Sequence, residues 1–162
     1  MGVAGSGKST LGEALAEQLQ WDFLDADAFH SVENIAKMSA GIPLTDADRF
    51  PWLDALNHHL LFMLADGQHP VLACSALKEK YRTRLLAGLD GIDVIYLEGG
   101  YELIRSRLLA RGSHYMKENM LQSQFDVLEE PEVAVVLDIS MPLDQMLETI
   151  LRRYPSLERS IK

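Results

Sequence analysis

The chain opens Met-Gly-Val-Ala-Gly-Ser-Gly-Lys-Ser-Thr, and Gly2, Gly7, Lys8 and Ser9 fill the spacing G-x-x-x-x-G-K-S/T completely. No other stretch constrains the fold as much, because this pattern works only at a strand-to-helix turn. Its glycines let the backbone bend until successive N–H groups point inward at phosphate oxygens. The helix beginning near Lys8 adds the positive end of its dipole. Gly2, Val3, Ala4, Gly5, Ser6, Gly7, Lys8, Ser9 and Thr10 therefore form a candidate ATP-binding loop. Lys8 can reach the β- and γ-phosphates, and the Ser9 hydroxyl can ligate Mg²⁺.

Such a loop normally follows a buried strand, and no apolar run precedes Gly2. The expectation is that this first strand is missing from the chain and belongs upstream, Met1 being an internal methionine read as a start. The strand would lie centrally, so its absence leaves backbone groups unpaired on both sides. A total stability of about 5–15 kcal/mol could hardly absorb that.

The 162 residues suit a single domain, 1–162, with a continuous core. No apolar stretch is long enough to span a membrane, and no basic segment followed by an apolar run marks a signal peptide. One cysteine, Cys74, excludes an internal disulfide framework and fits a reducing cytoplasm. The net charge of −9 repels a phosphate backbone, so nucleic acid is not an expected partner.

Helical and extended patterns alternate along the chain. "KSTLGEALAEQL" places Leu11, Ala14, Leu15 and Leu19 on one helical face. "SVENIAKMSAG" reads as a short helix with Ser31 as N-cap and Gly41 beyond its end. Thr45 and Asp48 are spaced as a cap for the following helix, with Pro51 early in it. "WDFLDAD", "PVLACSA", "IDVIYLEG" and "EVAVVLDIS" read as strands. Helices are predicted for "LKEKYRTRLLAGL", "YELIRSRLLAR", "LQSQFDVLEE" and "LDQMLETILRRY". Strands separated by helices, without hairpin signals, predict a parallel α/β sheet covered on both faces.

A phosphate loop that transfers a phosphoryl group needs a carboxylate near the metal and another near the acceptor. Asp25 and Asp27 follow the second predicted strand and should face the loop, pointing to one side if the strand persists. Asp27 is the candidate base and Asp25 the candidate metal support; a solvated acidic turn is the alternative. Asp138 ends a later strand and is placed beside the nucleotide base rather than at the metal. No base accompanies Cys74 or Ser75, so covalent catalysis is not expected.

From Asp25 onward the sequence resembles the gluconokinase family. "LDADAFHSVENIAKMSAGIPLTDADRFPWL", "CSALKEKYRTRL" and "YLEGGYELIRSRLLARGSHYMKENMLQSQFDVLEEP" carry the resemblance, which covers nearly the whole chain. Ala4, Ala26 and Met116 depart from the common residues without removing a charge from the site. The resemblance implies a three-layer αβα P-loop kinase fold similar to shikimate kinase. Its parallel sheet has the order 2-3-1-4-5, and a flexible lid covers about residues 111–120. It implies ATP- and Mg²⁺-dependent phosphorylation of D-gluconate to 6-phospho-D-gluconate, and dimers would suit it. A related kinase such as one for shikimate, or a nucleotide-binding protein with little turnover, are the alternatives.

Within that reading the acceptor carboxylate calls for cations. Arg49 can present a bidentate fork, unless it pairs with Asp46 or Asp48 on its own helix. His30 could meet a sugar hydroxyl or be structural. Lys78 and Arg82 share a helical face and suit the carboxylate or the transferring phosphoryl, with a solvated basic face as the alternative. Arg107 and Arg111 would contact the adenine side and the phosphates, with His114 and Lys117 in the lid; surface solvation is their alternative. Trp52 is expected in the core.

Overall fold

The structure, a computed structural model, describes residues 1–110 and 118–154. Helix α1, Lys8–Leu19, starts directly after Gly7, whose φ of 99° is the left-handed turn that glycine permits. No side chain caps α1, so its first N–H groups remain open to an anion. It buries Leu11, Gly12, Leu15, Ala16 and Leu19. A Cβ at Gly12 would stand 2.7 Å from Phe23 Cε2, so glycine lets α1 lie close against the first strand.

Strand β1, Phe23–Asp25, runs parallel to β2, Val71–Ala73, with Leu24 opposite Leu72. Strand β3, Ile95–Glu98, runs parallel to β4, Val135–Asp138, with Leu97 opposite Leu137. The described strands thus form two pairs rather than one continuous ladder. Between them lies the Met1–Gly2 backbone. Leu97 N–H donates to Met1 O at 2.9 Å, the Met1 amine donates to Ile95 O, and Gly2 N–H donates to Ser75 O at 3.4 Å. The loop is therefore inserted between the pairs, at the central position of the expected order.

Helix α2, Val32–Ser39, begins where the Ser31 side chain accepts the Asn34 N–H. Helix α3, Asp46–Ala65, opens on a full capping box formed by Thr45 and Asp48. Helices α4, Glu79–Leu85, α5, Tyr101–Ala110, α6, Glu118–Asp126, and α7, Leu143–Arg153, complete the described set. Helix α6 starts and stops a few residues earlier than the pattern "LQSQFDVLEE" suggests. The expected lid, up to residue 117, lies outside the described residues.

The interior has two hydrophobic clusters. One joins Val3, Leu11, Leu15 and Leu19 to Leu97, Ile104, Leu137, Ile139 and Ile150 beneath the loop. The other joins Trp52, Leu53, Leu56 and Leu60 to Ala26, Cys74, Tyr81 and Leu85. In the first, a Cβ on Gly99 would fall inside the fully buried Ile139 side chain, so the turn after β3 passes only as glycine. In the second, the buried Asn57 amide donates to Leu85 O at 2.8 Å and Ala87 O at 2.9 Å, which closes the end of α4.

Candidate active site

The loop is folded on itself. Lys8 Nζ donates to Val3 O at 3.0 Å, and Ser6 N–H donates to the same carbonyl at 3.2 Å. Burial pulls the Lys8 amine below its ordinary range, with Asp27 and Asp25 acting the other way. Both acids therefore lie close enough to Lys8 to act on its charge.

The two acids are held by a turn rather than by strand alternation. Strand β1 ends at Asp25, and a single 3₁₀ turn, Ala26–Phe29, carries Asp27. The strand does not persist, because Asp25 Oδ1 accepts the Asp27 N–H at 3.0 Å and bends the chain. The other oxygen, Asp25 Oδ2, accepts from Ser9 Oγ at 3.1 Å. One hydroxyl and one carboxylate match the one or two protein ligands that Mg²⁺ takes beside waters and phosphate oxygens. Among the described residues no three or more His, Cys, Asp or Glu side chains gather into a metal cage. The Cys74 thiol, close by, is pushed up to about 11 by burial and stays protonated, as its buried position implies.

On the acceptor side, His30 stacks on Trp52 with ring centroids 4.2 Å apart and planes at 17°. Trp52 is buried, as expected, and its Nε1–H donates to Ala26 O at 2.8 Å, which fixes the 3₁₀ turn. Burial lowers the His30 pKa, while the nearby Asp27 raises it and Arg49 lowers it. Arg49 Nε donates to Leu44 O at 3.3 Å, and its guanidinium lies 5.6 Å from the Tyr81 ring centroid. Lys78 Nζ lies 5.9 Å from the same centroid. Arg49 and Lys78, far apart in sequence, are thus brought to one aromatic ring.

Asp46 and Asp48 are occupied elsewhere. Asp46 accepts from Tyr81 Oη at 2.7 Å and pairs with Lys80. Asp48 pairs with Lys37 at 2.6 Å and accepts the Thr45 N–H at 2.9 Å. The hydrogen bond from Lys37, followed by those from Thr45, lowers the Asp48 pKa from 3.8 to about 2. A carboxyl lowered by folding stabilises the protein above its unfolded pKa and loses that contribution as pH falls through the folded value. Asp48→Asn should therefore flatten the stability profile between pH 4 and 2, measured by denaturant titration. A wild-type slope in that window would refute the assignment.

Arg82 is held by the chain's own groups. It is 5% exposed, so the solvated basic face is not observed. Its Nη1 donates to Ala76 O at 3.0 Å and Leu77 O at 3.3 Å, while Nε and Nη2 donate to Glu79 Oε2 at 2.9 and 2.5 Å. Lys78, by contrast, is only half-buried. Arg107 Nη2 donates to Ile139 O at 2.5 Å, beyond the end of β4. Asp138 accepts the Ser140 N–H at 2.7 Å and shapes the turn there. Arg111, His114, Met116 and Lys117 lie outside the described residues. Sequence reasoning missed Tyr81 and Gln124, whose Oε1 accepts the Ala4 N–H at 2.7 Å. No local pattern marks either, since both meet partners far along the chain.

A phosphate loop entering an uncapped helix between parallel strand pairs, with acids at the next strand's end, defines a P-loop kinase. The family model described as shikimate kinase matches residues 4–142. A probable gluconokinase of Mus musculus is 46% identical, over 88% of this chain and 89% of its own. The thermoresistant gluconokinase of Escherichia coli is 43% identical, over 93% and 89%. The crystal structure of a gluconokinase from Sinorhizobium meliloti superposes with a TM-score of 0.84 at 40% identity, over 98% of this chain and 89% of that one. The chain belongs to the gluconokinase family. Among the described residues, no helix is long and apolar enough to cross a membrane.

Proposed function

We propose that the protein transfers the γ-phosphoryl group of ATP to the primary hydroxyl of D-gluconate, giving 6-phospho-D-gluconate and ADP. The observation that supports this reading is the pairing of Ser9 of the phosphate loop with Asp25, which also holds the Asp27 N–H, together with the gathering of Arg49 and Lys78 at the Tyr81 ring. Asp27 would face the hydroxyl and the two cations the carboxylate. Gluconate has a carboxylate at one end and a primary alcohol at the other, matching that polarity.

In this reading Asp27 accepts the hydroxyl proton as the alcohol oxygen bonds to the γ-phosphorus and the bond to the β-phosphate oxygen breaks. Lys8 leaves Val3 O and offsets charge on the β- and γ-phosphates. Ser9 and Asp25 would hold Mg²⁺, which neutralises phosphate charge when bound. Arg49 and Lys78 hold the acceptor carboxylate, and His30 meets a sugar hydroxyl. Arg107 and Arg111 serve the nucleotide side. The one buried thiol fits action in a reducing cytoplasm.

The test is ADP release from ATP and Mg²⁺ with D-gluconate, beside shikimate, other polyhydroxy acids and no acceptor. Turnover should be greatest with gluconate. Equal turnover with shikimate would favour the neighbouring kinase reading, and ATP binding without turnover on any acid would leave a nucleotide-binding protein.

A further inference from the structure

The Val3–Ala4 peptide group of the phosphate loop is held at both ends. Its carbonyl oxygen accepts from Lys8 Nζ at 3.0 Å and from Ser6 N–H at 3.2 Å. Its N–H donates to Gln124 Oε1 at 2.7 Å, across 120 residues of sequence. The next residue, Gly5, is gripped by α5: a Cβ there would stand 2.8 Å from Leu108 Cγ and 3.2 Å from Ile104 Cγ2. Helices α5 and α6 also meet through Tyr101 and Phe125, whose ring centroids are 5.5 Å apart. Two consecutive helices thus reach two consecutive loop residues, one by packing and one by a side-chain amide.

Turning the Val3–Ala4 plane over changes ψ of Val3 and φ of Ala4, and Gly2 and Gly5 on the outer sides leave the neighbouring backbone free to follow. If the Val3–Ala4 plane turned over, the carbonyl that holds Lys8 would leave the loop interior. Burial and hydrogen bonding at both ends oppose this, and the amide of Gln124 does so without adding negative charge where phosphates bind. We propose that Gln124 is a positioning residue for the phosphate loop: it locks the Val3–Ala4 peptide, and so sets the resting place of Lys8 and the aim of the N–H groups that follow. This rests on the reading of the loop as the ATP site.

The test compares Gln124→Met, which keeps length but loses the acceptor, with Gln124→Ala and with Gln124→Glu, which keeps an acceptor oxygen. Amide hydrogen exchange of the loop is followed in the nucleotide-free protein, alongside calorimetric ATP binding, steady-state kinetics and melting. Losing one hydrogen bond should raise exchange at Ala4 and the KM for ATP roughly three- to tenfold in the Met and Ala variants. The KM for gluconate should stay within about twofold, and Gln124→Glu should recover the exchange protection at Ala4 but not the ATP affinity, because its charge faces the phosphates. Should Gln124→Ala fail to fold, Gln124→Met carries the comparison. Wild-type exchange at Ala4 and wild-type ATP affinity in Gln124→Met would overturn the proposal. If the wild-type protein binds no ATP, the functional reading falls, while exchange at Ala4 still decides whether Gln124 fixes the loop.

Discussion

Asp27→Asn is expected to lower kcat with gluconate by roughly 10²–10⁴-fold, the range ascribed to a positioned general base. Asparagine has the size of aspartate but cannot take the acceptor's proton. The turn that places residue 27 depends on its backbone N–H, which donates to Asp25 Oδ1, and on Trp52 Nε1–H donating to Ala26 O, neither of which the substitution removes. Melting temperature and ATP affinity should therefore stay near wild type, so the loss falls on the chemical step. Single-turnover phosphorylation measured by rapid quench separates this step from product release. A variant that turns over at the wild-type rate would remove Asp27 from the proton path.

Arg82→Leu is expected to cost about 2–5 kcal/mol of stability in chemical denaturation. The substitution strands the Ala76 and Leu77 carbonyls in the interior, at about 1–3 kcal/mol each. Glu79, 64% exposed, regains water and adds little. Ala76 sits at φ 41°, a left-handed conformation that a non-glycine residue keeps only under restraint, and the guanidinium supplies that restraint from below. Arg82→Lys should recover only part, since one ammonium cannot reproduce the fork. The KM for gluconate should rise as Lys78, two residues beyond Ala76, loses its setting. A raised KM at unchanged stability would instead place Arg82 on the substrate itself.

These two residues show where sequence reasoning reached and where it stopped. Helix starts were legible because their signals are local: Ser31 lies three residues before Asn34, and Thr45 three before Asp48, and both caps form. The loop was legible for the same reason, as was the burial of Leu11 and Leu15 from helical spacing. The positions of Asp25 and Asp27 were legible only in part, since a 3₁₀ turn rather than strand alternation joins them. Arg82 read as a candidate for the acceptor carboxylate or the phosphoryl group, with a solvated basic face as the alternative, and neither reading signals a buried side chain bonded to backbone carbonyls. Its burial depends on the Ala76–Leu77 turn folding back above it. Tyr81, Asn57 and Gln124 were silent because their partners lie 28 to 120 residues away.

The separation of the interior into two clusters carries a consequence for how such a chain can change. One cluster lies under the phosphate loop at Gly5 and Lys8, and the other surrounds Trp52 and Tyr81, where the proposed acceptor side lies. Substitutions at well-separated sites with no shared partners have additive effects. Mutations on the far side of the second cluster, such as around Leu56 and Leu60, should therefore combine additively with changes under the loop, whereas Trp52, bonded to Ala26 O beside Asp25 and Asp27, couples the two sides. One hydrogen bond, from Trp52 to the backbone of Ala26, is thus the hinge pin between two otherwise separate interiors.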